Sequence, residues 1–294
     1  MRLEFATCDV FTEQRFGGNP LAVVWGGEAL DGAAMQRVAR EFNLSETVFV
    51  LPPEAAGAAA RIRIFTPGAE LPFAGHPNVG TAAMLARRLG LAGDGIALDQ
   101  AAGRVAARLL RDAGGAVTGA EIEAPLPFAE MAPLAPEAVA ACLGLPVAAV
   151  RSVTHPPVIA GCGNPFGLAE LADPAALAAA MPDAAAFRRH LPADAAVGLH
   201  LHVALPDGRR RARMFGPLVG VPEDPATGSA TVALAGLLLR AGGGERLSLE
   251  IEQGIEMGRP SRLAARAWRA GDGAIRCAVG GGVVPVSEGW ISVG

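Results

Sequence analysis

The chain has 294 residues, 51% of them hydrophobic, enough to bury a core in one large domain or in each of two modest ones. A formal net charge of −4 and a pI near 5.8 give no general attraction to polyanions. The one basic cluster, Arg209, Arg210, Arg211 and Arg213, is local, so nucleic-acid binding is not expected. All 25 basic residues are arginine, and the missing lysine excludes pyridoxal Schiff bases, lysine aldolase chemistry and the standard phosphate-loop lysine. Tyrosine, another candidate acid, is also absent.

No uninterrupted apolar stretch approaches the roughly 20 residues of a membrane-spanning helix, so no membrane partner is expected. Glu4 stands where a secretory leader would continue its apolar region, and the expected location is the cytoplasm. Cys8, Cys142, Cys162 and Cys277 are widely separated with no CxxC spacing, which fits reduced thiols packed in the core better than disulfides or a zinc site.

In chain order, residues 2–8 and 21–25 read as strands, 32–41 as a helix, and 47–51 and 61–65 as strands. A helix from about residue 78 to 89 follows; it is apolar nearly all round, as buried helices are. Strands at 96–99, 104–109 and 119–123 fill out the first sheet, and the Pro-rich stretch 124–127 reads as a linker. The Ala-rich stretch 174–187 reads as a surface helix anchored by Met181 and Phe187, and a second apolar helix is expected at 228–240. Gly242–Gly244 and Gly280–Gly282 lack the strand-to-helix context of a dinucleotide fingerprint and read as turns.

Three landmarks recur in order at a nearly constant offset. Gly18-Asn19-Pro20-Leu21 is echoed by Gly163-Asn164-Pro165-Phe166, and Arg61-Ile62-Arg63-Ile64-Phe65-Thr66-Pro67 by Arg211-Ala212-Arg213-Met214-Phe215-Gly216-Pro217. His76-Pro77-Asn78-Val79-Gly80-Thr81-Ala82 likewise aligns with Asp224-Pro225-Ala226-Thr227-Gly228-Ser229-Ala230. The expected fold class is therefore α+β, with two pseudosymmetric domains, residues 1–126 and 127–294, each a mostly antiparallel sheet wrapped around one central apolar helix. The last strand is free to cross back to the first half.

Gly80 and Thr81 in one half, and Gly228 and Ser229 in the other, stand where each apolar helix is expected to open, with backbone N–H groups suited to a substrate carboxylate. Where the halves differ, an acid can face a base: His76 aligns with Asp224, and Glu46 has no acidic counterpart in the second half.

These residues, with Phe16-Gly17-Gly18-Asn19-Pro20-Leu21-Ala22-Val23-Val24, Gln253-Gly254 and Met257-Gly258-Arg259-Pro260-Ser261, resemble the PhzF-like phenazine-biosynthesis isomerase and epimerase family over nearly the whole chain. The resemblance implies the diaminopimelate-epimerase-like fold, a homodimer, and proton transfer on a small carboxylate-bearing substrate without metal or organic cofactor. It implies that Glu46 is the catalytic acid/base, that His76 and Asp224 assist it, and that Asn19, Gly75, Gly228 and Ser229 take part in substrate binding. One carboxylate can serve both proton steps provided burial makes its proton available near neutral pH. Many members carry histidine where Thr231 stands, which weakens the inference to any one substrate.

Three rival readings remain open at this stage. A cysteine-pair racemase on the same fold would need thiols where His76 and Asp224 stand, and Cys162-Gly163-Asn164 falls at the structural repeat position. His200-Leu201-His202 puts two imidazoles on one strand face, a spacing that can chelate a metal or simply face solvent. A non-catalytic protein that captures a carboxylated metabolite is the third.

Overall fold

The computed structural model describes every residue, Met1–Gly294. The chain divides into two compact units, one of Met1–Glu123 with Gly280–Gly294, the other of Ala124–Val279. The first holds β1 (Arg2–Val10), β2 (Asn19–Trp25), α1 (Gly32–Phe42), β3 (Glu46–Leu51), β4 (Ala60–Phe65), β5 (Glu70–Leu71), α2 (Gly75–Leu89), β6 (Gly95–Gln100), β7 (Gly103–Arg111) and β8 (Val117–Glu123). The second runs through β9 (Ala129–Pro133), α3 (Pro136–Leu143), β10 (Val150–Arg151), β11 (Val158–Gly161), β12 (Pro165–Leu171), α4 (Pro174–Ala179) and α5 (Ala184–His190). It continues with β13 (Leu199–Ala204), β14 (Arg210–Gly216), β15 (Val221–Asp224), α6 (Gly228–Gly242), β16 (Arg246–Gln253) and β17 (Ser261–Arg269). The last strand, β18 (Ile275–Ser292), starts in the second unit and ends in the first.

In the first unit the strands close on themselves. β1 pairs antiparallel with β2 and β18, β2 parallel with β3, β3 antiparallel with β4, and β4 parallel with β6. The antiparallel pairs β6–β7 and β7–β8 follow, and β8 pairs with β18 to complete the ring. Closure removes the free edges of an open sheet. α2 packs against β1, β2, β3, β6, β7 and β8, and each of its residues from Gly75 to Ala86 is buried. α1 lies over β3 and β4, its Met35, Val38 and Ala39 packing with Val24, Phe49 and Phe65. The Asp31 carboxylate caps its start by accepting the Ala34 N–H at 2.7 Å.

In the second unit, β9–β11 and β11–β12 are antiparallel, β12–β13 parallel, β13–β14 antiparallel, β14–β16 parallel and β16–β17 antiparallel. α6 packs against β11, β12, β16 and β17, burying Ala230, Ala233 and Leu237 with Val158, Phe166 and Met214. A separate cluster joins α3 and α5 to the strands through Leu143, Phe187, Leu199 and Phe215. The architecture is a mixed α/β fold with a closed β-barrel.

Several local expectations need correction. α2 opens at Gly75, not near Asn78, because Pro77 falls in the first turn, where the missing N–H costs no bond. The Ala-rich stretch forms two short helices, capped by Asp173 and Asp183; Phe187 is buried, but Met181 between them is 68% exposed and anchors nothing. Residues 124–127 do stand where the first unit gives way to the second, and they are tied down there, the Ala124 N–H donating to the Cys277 carbonyl and the Phe128 N–H to that of Ile275, each at 2.8 Å. Gly280–Gly282 lies within β18 rather than in a turn. A side chain at Gly119 on β8 would overlap the Gly281 carbonyl, so these backbones meet without side chains between them.

His200 and His202 do not face solvent; both are fully buried. Arg210 Nη1 donates to His202 Nδ1 at 2.8 Å and to Glu170 Oε1 at 3.0 Å. His202 Nε2 must then carry the hydrogen and donate to His155 Nε2 at 2.9 Å, leaving His155 Nδ1–H for the Pro156 carbonyl at 2.8 Å. Both imidazoles are thus neutral, each in one tautomer, and burial holds both below the ordinary 6.5 and His200 down at about 4.

Two outcomes are expected. Gly119→Val should lower the thermal midpoint by several degrees, about 1–3 kcal/mol of overpacking, as scanning calorimetry would show. Because the folded-state values of these histidines are depressed, the unfolded chain binds protons first as pH falls. Stability should therefore be full above about pH 6.5 and fall towards pH 4, with a slope of up to about 1.4 kcal/mol per pH unit per histidine, read from urea midpoints.

Candidate active site

α1 ends at Asn43, whose left-handed backbone (φ 50°) turns the chain sharply into β3, so that Glu46 is the first residue of that strand, level with Leu21 on β2. His76 is the second residue of α2. The two meet: His76 Nε2 lies 3.1 Å from Glu46 Oε2, and the side chains are only 6% and 15% exposed. Burial pushes the imidazole down to about 3, opposed by a hydrogen bond to the Pro20 carbonyl, so His76 is neutral at any physiological pH.

Asn19 is fully buried at the head of β2, paired with Val10, and Gly75 opens α2. Gly80 and Thr81 sit more than a turn inside the helix rather than at its opening. A side chain at Gly80 would press on Leu21 and Val10, so its smallness brings α2 against β1 and β2. Ala74 offers no side-chain cap to α2, and Asn78 instead exchanges hydrogen bonds with Gln100 at 3.1 and 3.2 Å.

In the second unit Asp224 ends β15, Gly228 is the first residue of α6 and Ser229 the second. The aligned motifs therefore adopt different local structures, His76 within a helix and Asp224 ahead of one. The cause lies in two residues with no assigned role in the sequence reading, Gln253 and Ser261. Gln253 Nε2 donates to the Asp224 carbonyl at 2.8 Å, Gln253 Oε1 accepts the Thr227 N–H at 3.2 Å, and Ser261 Oγ donates to the Pro225 carbonyl at 2.8 Å. These bonds hold residues 224–227 out of the helix. Thr231, buried in the first turn, has its N–H on the Thr227 carbonyl at 3.0 Å. A signal for Gln253 exists in the sequence, because the period of two along β16 puts it in phase with the buried Leu249 and Ile251. A polar side chain on the apolar face of a strand has to find partners inside.

The four cysteines are buried and unpaired by disulfides. Burial raises Cys8 to about 12 and Cys142 to about 11, and the Cys162 thiol is likewise raised, chiefly by its hydrogen bond to Cys277. Such thiols are poor bases and nucleophiles.

Residues 8–289 match the family model described as phenazine biosynthesis-like protein (PhzC-PhzF). The trans-2,3-dihydro-3-hydroxyanthranilate isomerase of Pseudomonas aeruginosa is 40% identical, covering 97% of this chain and 98% of that protein. An uncharacterised isomerase of Mesorhizobium japonicum is 39% identical over 97% of each chain. The crystal structure of a PhzF-family phenazine biosynthesis protein from Bacillus anthracis superposes with a TM-score of 0.88 at 24% identity, covering 100% of both chains. The chain thus belongs to the phenazine biosynthesis-like family of isomerases.

Proposed function

We propose that this chain moves a proton on a small carboxylate-bearing metabolite of the class of trans-2,3-dihydro-3-hydroxyanthranilate, with Glu46 as acid and base and no metal or organic cofactor. The observation that carries this reading is the contact between Glu46 and a neutral, buried His76. Being neutral, the imidazole has one nitrogen without a hydrogen, and the contact sets Nε2 beside the carboxyl. Glu46 can take a proton from one substrate carbon and return it at another, leaving the enzyme as it began. Asp224 assists the transfer, and Asn19 and Gly75 shape the binding site.

The substrate carboxylate is held by Gly228 and Ser229. The start of α6 has no side-chain cap, which supports this role: a carboxylate there gains about 0.3–1 kcal/mol from the helix dipole besides the N–H bonds themselves. The same alternation of antiparallel and parallel pairs in each unit supports a duplicated, pseudosymmetric half as the building block. A cytoplasmic homodimer with no nucleic-acid partner completes the reading, in keeping with the acidic pI and the absence of any helix long and apolar enough to cross a membrane. The raised thiols count against a cysteine-pair racemase.

Proton NMR in heavy water, with trans-2,3-dihydro-3-hydroxyanthranilate and a panel of cyclic and amino-acid carboxylates, tests the proposal. Deuterium should wash into one carbon position in the wild type, and Glu46→Gln should slow it by roughly 10²–10⁴-fold. Binding of a carboxylate without any exchange in the wild type would establish a capture protein instead.

A further inference from the structure

Three residues other than glycine hold left-handed backbones, Phe11 (φ 65°), Phe16 (φ 69°) and Asn43 (φ 50°). An L side chain takes that conformation at a cost in free energy, and it persists only where the surrounding structure imposes it. Asn43 is of a type that tolerates the region, and it ends α1 there; Phe11 is fully buried, so the packing of its ring offsets the strain. Neither reason applies to Phe16. It is 71% exposed, so in the free chain its ring adds little that a strainless glycine would lack.

The segment that presents Phe16 is fixed in place. The N–H groups of Phe11 and Thr12 donate to the Gly282 carbonyl at 2.7 and 3.2 Å, and Thr12 Oγ1 accepts the Gln14 N–H at 3.1 Å. The Phe16 N–H itself donates to Oδ2 of the buried Asp9 at 2.6 Å. This segment joins the end of β1 to the head of β2, and β2 runs parallel to β3, so it stands at the end of the ring of strands where Glu46 heads β3. α2 opens at the same end, because His76 hydrogen-bonds the Pro20 carbonyl and meets Glu46. Asp9, which holds the Phe16 amide, is the cross-strand partner of Pro20, which holds His76. The exposed ring is thus carried on a rigid turn one strand pairing away from the residue that steadies His76 against Glu46.

We propose that Phe16 is a substrate-contacting residue, its ring covering the apolar face of a cyclic carboxylate bound beside Glu46 and His76. The anthranilate skeleton offers a six-membered ring, and a phenyl group meets such a ring in offset-stacked or edge-to-face contact while taking apolar surface out of water. The strain held in the free chain is then offset by a contact made only with ligand. The proposal rests on the reading that Glu46 marks the substrate site, but the contact of the ring with a ligand is measurable without turnover.

The chain has no tyrosine, so Phe16→Tyr in the full chain introduces a single phenol ring, which ring-labelled tyrosine makes visible by carbon NMR. Anthranilate should move its signals in a saturable way. By calorimetric titration Phe16→Gly should weaken anthranilate binding about tenfold, and Phe16→Tyr should keep it within about threefold of wild type. The thermal midpoint of Phe16→Gly should stay within about two degrees of wild type, since glycine adopts this backbone without strain. In the deuterium assay Phe16→Gly should raise KM for trans-2,3-dihydro-3-hydroxyanthranilate about tenfold and change kcat by less than about threefold. Phenol signals that no ring carboxylate of the panel moves, or equal anthranilate binding by wild type and Phe16→Gly, overturn the proposal. A midpoint several degrees lower with unchanged binding makes the ring a structural contact, and altered sedimentation with unchanged binding makes it a contact between copies; either overturns it too. Exchange that survives Glu46→Gln overturns the catalytic reading, while the anthranilate titrations still decide the place of Phe16.

Discussion

An apolar helix enclosed by strands can satisfy its backbone everywhere except at its ends, where the first N–H groups and last carbonyls have no partner within the helix. α2 and α6 are both helices of this kind. At their last turns the problem is solved locally by left-handed glycines, Gly90 and Gly243, whose N–H groups bond back to the helix. At their first turns no side chain does the equivalent, and the residues of chemical interest gather there: His76 in one case, Asp224 and Thr227 in the other.

Much of this was legible in the sequence. The two motif helices announced themselves because residues 78–89 and 228–240 are apolar on nearly every face, a composition that only a buried helix tolerates, and strand alternation placed β3, β4 and β6 within a residue or so. What failed had a common origin in tertiary contacts. The start of α2 was read late because Pro77 looks like a breaker and is harmless in a first turn. Gly280–Gly282 looked like a turn because local sequence cannot show that another backbone, at Gly119, lies against it. His200 and His202 were placed towards solvent because the partners that make burial tolerable, His155 and Arg210, come from other segments.

The site was legible unevenly. Glu46 carries no local mark of chemistry, a glutamate at the head of an apolar strand, and only the family resemblance singled it out; its contact with His76 is made across thirty residues of chain by the ring of strands. Gln253 was visible as part of a motif, but without a role, since its meaning lies in what its amide touches. The repeat suggested like structures for His76 and Asp224, and the divergence follows from two side chains, Gln253 and Ser261, that hold one copy open.

The return of β18 has a bearing on how the protein is made. β18 pairs with both β1 and β8, so the ring of the first unit is completed by a segment that is synthesised only after the whole of the second unit. Until then the nascent first unit carries two open edges flanking an apolar helix, the kind of surface that chaperones shield and that aggregates when left bare. Folding of the amino-terminal half is thereby tied to the synthesis of β18, and a chain terminated before that strand cannot leave behind a finished first unit.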